Sequence, residues 1–104
     1  VDHVNILASG GVRNPLDVIK SLALGAKAVG MSSFILNSVM NAGVDETIEI
    51  IESFKVQLRS IMTILGCSTI EELKHTDLII SGEVRDWMEA RNLDYKHFAN
   101  RSKQ

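Results

Sequence analysis

The sequence predicts an α/β chain with two short parallel strands, a crossover helix between them and a helical C-terminal half. Three observations carry that reading. The runs His3–Ala8 and Ala28–Met31 are short and apolar, and glycine or serine closes each of them, as suits strands buried on both faces of a parallel sheet. About twenty residues separate them, the span of a right-handed crossover. Beyond the second run the apolar residues recur at helical rather than alternating spacing.

Each element follows in order. After Ser9-Gly10-Gly11 comes Asn14-Pro15; Asn14 suits an N-cap and Pro15 the first helical position. Asp17 falls in the first turn, where the helix dipole favours an acid. Leu16, Ile19 and Leu22-Ala23 form the apolar stripe, and Gly25 supplies the stop. Ser32-Ser33 then caps a segment from Phe34 to Met40, which Asn41-Ala42-Gly43 ends. Val44 to Leu65 reads as one long amphipathic helix with Ile48, Ile51, Phe54 or Lys55, Leu58, Ile61-Met62 and Leu65 along its stripe. Ser68-Thr69-Ile70-Glu71 is a capping-box pattern that opens a short helix through Leu73. Asp77 to Ile80 is extended or irregular, and Glu83 to Arg91 is helical with Val84, Trp87 and Met88 on one side. Residues 93–104 form a polar tail, expected to be loosely held, and residues 1–92 form the α/β body.

The bulk properties exclude several classes. With 104 residues and 45% hydrophobic content, the chain suits one small core and not a disordered segment. A net charge of −2, with Lys and Arg scattered among acids, gives no attraction to nucleic acid or to an anionic membrane. Cys67 is the sole cysteine, so no internal disulfide forms and a reducing, cytoplasmic setting is expected. The longest apolar stretch is too short to span a bilayer, and no signal-peptide pattern opens the chain. The chain starts at Val1 and is almost at once in a strand-like run. That suggests a cut through a larger protein, although a trimmed tag also removes a methionine.

The informative feature is the pair of strand ends. Ser9, Gly10, Gly11 and Val12 follow the first strand, and Gly30, Met31, Ser32 and Ser33 follow the second. Parallel neighbours place both ends on one rim. Glycines admit a phosphate close to the backbone, and the first N–H groups of the following helix point outward unpaired. Together they make an anion site of backbone donors, helix dipole and hydroxyls. Arg13 adds a charge-assisted contact in one reading and is a solvated loop arginine in the other. In (β/α)₈ barrels a phosphate site often sits at the loops after the last two strands, beside a short extra helix. Ser33–Met40 has the length and position of that helix. Gly-Gly is commonly a simple turn and Ser-Ser a simple cap, so the weight rests on their pairing.

The run from Ala8 to Met31 resembles the strand-7 to strand-8 phosphate region of FMN-dependent barrel enzymes. These include α-hydroxyacid oxidases, IMP dehydrogenase and type 2 isopentenyl diphosphate isomerase. Three details favour the isomerase family: Ala-Ser-Gly-Gly in place of the oxidases' Asp-Gly-Gly, Gly30-Met31-Ser32-Ser33 in place of their Gly-Arg-Pro, and the tail segment Gly82-Glu83-Val84-Arg85-Asp86-Trp87. The resemblance implies the C-terminal part of an FMN-binding (β/α)₈ TIM barrel, strands 7 and 8 with their following helices, incomplete in this chain. It covers roughly nine-tenths of the sequence and fades after about Asn92. It implies FMN bound at Ser9, Gly10, Gly11, Val12, Arg13, Gly30, Met31, Ser32 and Ser33, with Mg²⁺ and NADPH serving the full-length enzyme. The activity implied is interconversion of isopentenyl and dimethylallyl diphosphate in a cytoplasmic homo-oligomer. The family's substrate- and metal-binding residues have no counterpart here, so the implied role is phosphate binding without catalysis.

Other residues invite a chemical role and carry a plainer one. His3, His75 and His97 fit no metal-ligand spacing. Cys67 lacks a nearby histidine and reads as a small apolar residue. Trp87 and Met88 pack the last helix onto the body or face a partner. Asp45, Glu46 and Glu49 complement a helix N-terminus. The alternatives to the isomerase reading are an oxidase-like fragment and a small α/β interaction module without cofactor. An isolated two-strand piece leaves sheet edges open, and is expected to dimerise, swap elements or be only partly ordered.

Overall fold

The computed structural model of the chain describes residues 3–103. Val1, Asp2 and Gln104, which the reading of the chain as body and tail includes at its ends, lie outside them. Strand β1 is Leu7–Ala8 and strand β2 is Ala28–Val29, paired parallel with Leu7 opposite Ala28 and Ala8 opposite Val29. Two further bonds bracket the ladder, Lys27 N–H to the Ile6 carbonyl at 2.8 Å and Gly30 N–H to the Ala8 carbonyl at 2.7 Å. The strands are shorter than predicted because the two segments pair over only two residues each. Burial on both faces is not found: Leu7 is 72% exposed. A two-stranded sheet with one helix against it leaves the other face and both edges open.

Helix α1, Pro15–Ala23, starts as its sequence requires. The Asn14 side chain accepts the Asp17 N–H at 2.9 Å, and the Asp17 carboxylate accepts the Arg13 N–H at 3.2 Å. Its buried residues are Pro15, Val18, Ile19, Leu22 and Ala23, an i, i+3, i+4 series that makes one stripe. Leu16, expected on that stripe, falls off it and is exposed.

Helix α2, Ser32–Ile64, is two helices joined at Gly43, whose φ of 88° and ψ of 172° break the helical path. The expected division into a short segment and a long helix is therefore present. That backbone region is essentially restricted to glycine. On the long half, Phe54, Leu58, Ile61 and Met62 pack against the core. Ile48 and Leu65, also expected on the stripe, stay exposed because no described element covers the two ends of this half. A 3₁₀ turn, Glu71–His75, follows. Its capping box is shifted by one residue from the expected pattern. Thr69 Oγ1 accepts the Glu72 N–H at 3.3 Å, and Glu72, not Glu71, reaches back to the Ser68 N–H at 2.9 Å.

The core joins Val12, Val18, Ile19, Leu22, Ala23 and Leu73. Leu73 is its one large side chain that is wholly enclosed. Helix α3, Gly82–Ala90, buries none of its residues. Trp87, expected to pack onto the body or a partner, is 59% exposed with the Arg91 guanidinium 5.1 Å from its ring centre.

The C-terminal segment is anchored, contrary to the expectation of a loose tail. Residues Lys96–Lys103 form 3₁₀ turns kinked at Asn100. Arg101 is buried there, donating to the Thr76 carbonyl from Nε at 2.9 Å and to the Ala23 carbonyl from Nη1 at 2.8 Å. Ala23 ends α1, so a cation sits on the negative end of that helix dipole. Burial pulls the Arg101 guanidinium below its ordinary pKa, and the nearby Asp77 acts in the opposite direction. Asp77 in turn accepts the Ser102 N–H at 2.8 Å and the Ser102 hydroxyl at 2.7 Å. A polar sequence conceals this tie because its apolar content is low.

Leu73→Ala is expected to cost about 2–5 kcal/mol, as for a fully enclosed leucine, measured by denaturant unfolding of the complete gene product. The Ser102 hydrogen bonds hold the Asp77 carboxyl below its usual range. A depressed carboxyl stabilises above the unfolded pKa, and that contribution is lost as pH falls through the folded value. Docking of residues 96–103 is therefore expected to loosen below roughly pH 4, and Asp77→Asn is expected to abolish that dependence. Hydrogen exchange of the segment across pH reads both effects.

Candidate functional site

Parallel pairing sends the chain off the same edge of the sheet twice. After β1, Gly10 and Gly11 take φ of 91° and 71°, and the turn leads through Val12 and Arg13 into α1. After β2, Gly30 lies against Ser9, where an added Cβ would stand 3.4 Å from the Ser9 Cβ. The two loops thus touch. They form one wall of a cavity of about 770 Å³, and α2 forms the other. All nine residues predicted from the sequence, Ser9 to Arg13 and Gly30 to Ser33, line it. Val12 is also part of the core.

The N-terminus of α2 is open. Met31, not Ser32 or Ser33, occupies the capping position, and it makes no side-chain cap. Ser32 and Ser33 are the first helical residues instead. The first intrahelical bond runs from the Ile35 N–H to the Met31 carbonyl at 3.1 Å, which leaves the N–H groups of residues 32–34 without helical acceptors. No acid lies in the first turn. Helix α1 is the opposite case, satisfied by Asn14 and Asp17.

Electrostatically the cavity is simple. Arg13 is its one ionisable lining side chain, and among the described residues it makes no ion pair. The arrangement can hold an anion between backbone N–H groups, serine hydroxyls and a guanidinium. The residues fit a phosphate ester of the kind FMN carries, since serine hydroxyls, glycine backbone and one guanidinium line the cavity and no carboxylate does.

Six lining residues escaped the sequence reading: Phe34, Asn37, Ser38, Asn41, Ala42 and Ile50. Ser33, Asn37 and Asn41 recur every four residues on the short half of α2, a polar stripe with Ser38 beside it. That periodicity was the available signal. Ile50 reaches the cavity only because α2 breaks at Gly43, which periodicity alone does not direct.

The remaining candidates do not join the site. His3, His75 and His97 are exposed. Cys67 is half-buried, its Sγ 3.6 Å from the Thr76 hydroxyl oxygen. Among the described residues, no three His, Cys, Asp or Glu side chains converge as a metal site would require. No helix of the described residues is long and apolar enough to cross a membrane.

The sequence profile of the FMN-dependent dehydrogenases matches residues 1–80. The chain belongs to the FMN-dependent dehydrogenase family. Within it, the chain is 54% identical over 93 residues to an isopentenyl-diphosphate delta-isomerase of Staphylococcus haemolyticus, covering 89% of this chain and 27% of that protein. It is 50% identical over 95 residues to the protein of the same name from Listeria innocua, covering 91% and 26%. A third, from Staphylococcus aureus, is 48% identical over 92 residues, covering 88% and 26%. The chain thus spans about a quarter of the length of these relatives.

Inorganic phosphate added to the flavin-free gene product is expected to slow hydrogen exchange at the amides of Ser32, Ser33 and Phe34. Arg13→Ala should weaken the phosphate affinity read from that protection by about 10-fold or more, in keeping with loss of one charge-assisted contact of about 1.5–3 kcal/mol. Unchanged exchange at all three amides would count against an anion site.

Proposed function

We propose that this chain is the FMN-phosphate-binding part of an isopentenyl-diphosphate delta-isomerase, which interconverts isopentenyl and dimethylallyl diphosphate with reduced FMN. One observation carries the proposal: in a chain about half identical to proteins of that name, a glycine turn and an uncapped helix N-terminus face each other across one cavity with a single cation. In this reading the nine residues Ser9, Gly10, Gly11, Val12, Arg13, Gly30, Met31, Ser32 and Ser33 hold the flavin phosphate. The loops supply main-chain N–H donors, Ser32 and Ser33 supply hydroxyls, and Arg13 offsets charge. When bound, the flavin supplies the proton-transfer chemistry for the allylic double-bond shift.

The same reading makes β1 and β2 strands 7 and 8 of a (β/α)₈ barrel, with residues 1–92 as its closing βα units and 93–104 as a C-terminal extension. The open sheet face and edges support it, since further strands would cover them. Mg²⁺ on the diphosphate, NADPH as reductant, a cytoplasmic setting and a homo-oligomeric assembly belong to the whole enzyme. No carboxylate, histidine, cysteine, lysine or tyrosine, the usual general acids and bases, lines the cavity. These 104 residues alone are therefore inactive in this reading.

A second reading, an oxidoreductase acting on an α-hydroxyacid, is favoured by the description of the matching family as a dehydrogenase. Assay separates the two. The complete gene product is expected to be yellow as purified and to isomerise isopentenyl diphosphate once its flavin is reduced. It should bind FMN at least 10-fold more tightly than riboflavin, a difference of about 1.4 kcal/mol or more. Oxidation of an α-hydroxyacid without isomerisation would establish the second reading. A colourless protein indifferent to FMN would overturn both.

A further inference from the structure

We infer that Thr47, outside the phosphate cavity, is a positioning residue that aims the N-terminus of α2 at the flavin phosphate by fixing the angle at the Gly43 break. The inference rests on the reading of the cavity as an FMN-phosphate site. Its observation is separate: Thr47 is the one buried residue of α2, 4% exposed in a helix of 33 residues.

Gly43 leaves the helical path, so a regular helix does not fix the direction of the short half, which carries Ser32 and Ser33. Thr47 supplies a tie across the break. Its hydroxyl lies 2.7 Å from the Gly43 carbonyl and 2.8 Å from the Ser38 hydroxyl. A carbonyl only accepts, so the single Thr47 proton goes to Gly43, and Ser38 must donate to Thr47. The direction of both bonds is thereby set. Ser38 stands on the short half and lines the cavity, so one hydroxyl ties the break residue, the long half and the cavity wall together. A second tie crosses the break nearby, with the Phe34 and Phe54 rings 6.3 Å apart at 55°. That contact is apolar and tolerates sliding, whereas two directional bonds converging on one oxygen do not.

An anion held by the first turn depends on where that turn points, because the dipole's effect fades within the turn. Tilting the short half moves the N–H groups of residues 32–34 relative to the glycine loop opposite. Riboflavin, which lacks the phosphate, is insensitive to that tilt. A fold merely weakened by losing Thr47 binds both flavins less well.

The test uses the complete gene product stripped of flavin, with dissociation constants for FMN and riboflavin measured by fluorescence quenching alongside the melting temperature. Thr47→Val keeps the shape and removes both bonds. It is expected to weaken FMN roughly 3- to 10-fold, the range for one net hydrogen bond, and to leave riboflavin within about 2-fold. Thr47→Ser keeps the hydroxyl and should restore FMN binding. Ser38→Ala guards against misfolding of Thr47→Val, and the double variant should bind FMN no worse than Thr47→Val alone, since the two act as one unit. FMN binding unaltered in Thr47→Val, or equal losses for FMN and riboflavin, overturns the inference. Additive losses in the double variant make Ser38 a direct ligand contact and overturn it as well. A parent protein that does not distinguish FMN from riboflavin removes the underlying reading instead.

Discussion

The parallel ladder of β1 and β2, Leu7 opposite Ala28 and Ala8 opposite Val29, is bracketed by the Lys27 N–H to Ile6 and Gly30 N–H to Ala8 bonds, and the rest of the structure depends on its direction. Parallel strands discharge their loops at the same edge, so Gly10-Gly11 and Ser32-Ser33 meet although some twenty residues separate them. An antiparallel pair would have put them at opposite ends. The crossover helix α1 makes the parallel arrangement possible, and its buried stripe is the larger part of the core. Leu73 closes that core from the 3₁₀ turn, and Arg101 holds the last carbonyl of α1 from the far end of the chain. The rim is therefore braced by residues remote from it in sequence, through a helix that touches both.

The two helix N-termini beside the rim differ in a way that separates architecture from binding. Helix α1 satisfies its own first turn with Asn14, Pro15 and Asp17, as a helix does when its start has only to be stable. Helix α2 carries neither a side-chain cap nor an acid at its start. A missing cap costs about 0.5–2 kcal/mol, and an end left so is open to an external anion. Gly43 adds to this by letting the short half take its own direction.

Much of this was legible in the sequence, for identifiable reasons. Asn14-Pro15 and Gly25 marked α1 because caps and stops are local chemistry. Gly43 marked the division of α2 for the same reason. The rim residues were legible because glycine and serine after a strand imply backbone donors. What escaped depended on partners distant in sequence. Arg101 looked like one cation in a polar tail, and only the fold brings the carbonyls of Ala23 and Thr76 to it. The strands read as buried because their composition is apolar, yet Leu7 is exposed: composition reports the burial a segment is suited to, and only neighbours supply it. Val18 in place of Leu16 on the α1 stripe shows the related limit, that a periodic pattern with several apolar residues admits more than one phase.

The cavity's lack of acid–base groups has a consequence for how labour divides in the proposed enzyme. A phosphate grip built from backbone N–H groups, hydroxyls and one arginine offers no carboxylate or histidine to take or give a proton. On the proposed reading it anchors the flavin from the end opposite the reacting ring, and its contribution is orientation rather than reaction. Orientation transmitted over the length of a cofactor is sensitive to angle. A helix interrupted by glycine and re-tied through a buried hydroxyl sets that angle by specific bonds rather than by packing, and on the proposed reading this separates the grip from the acid–base groups that the rest of the enzyme must provide.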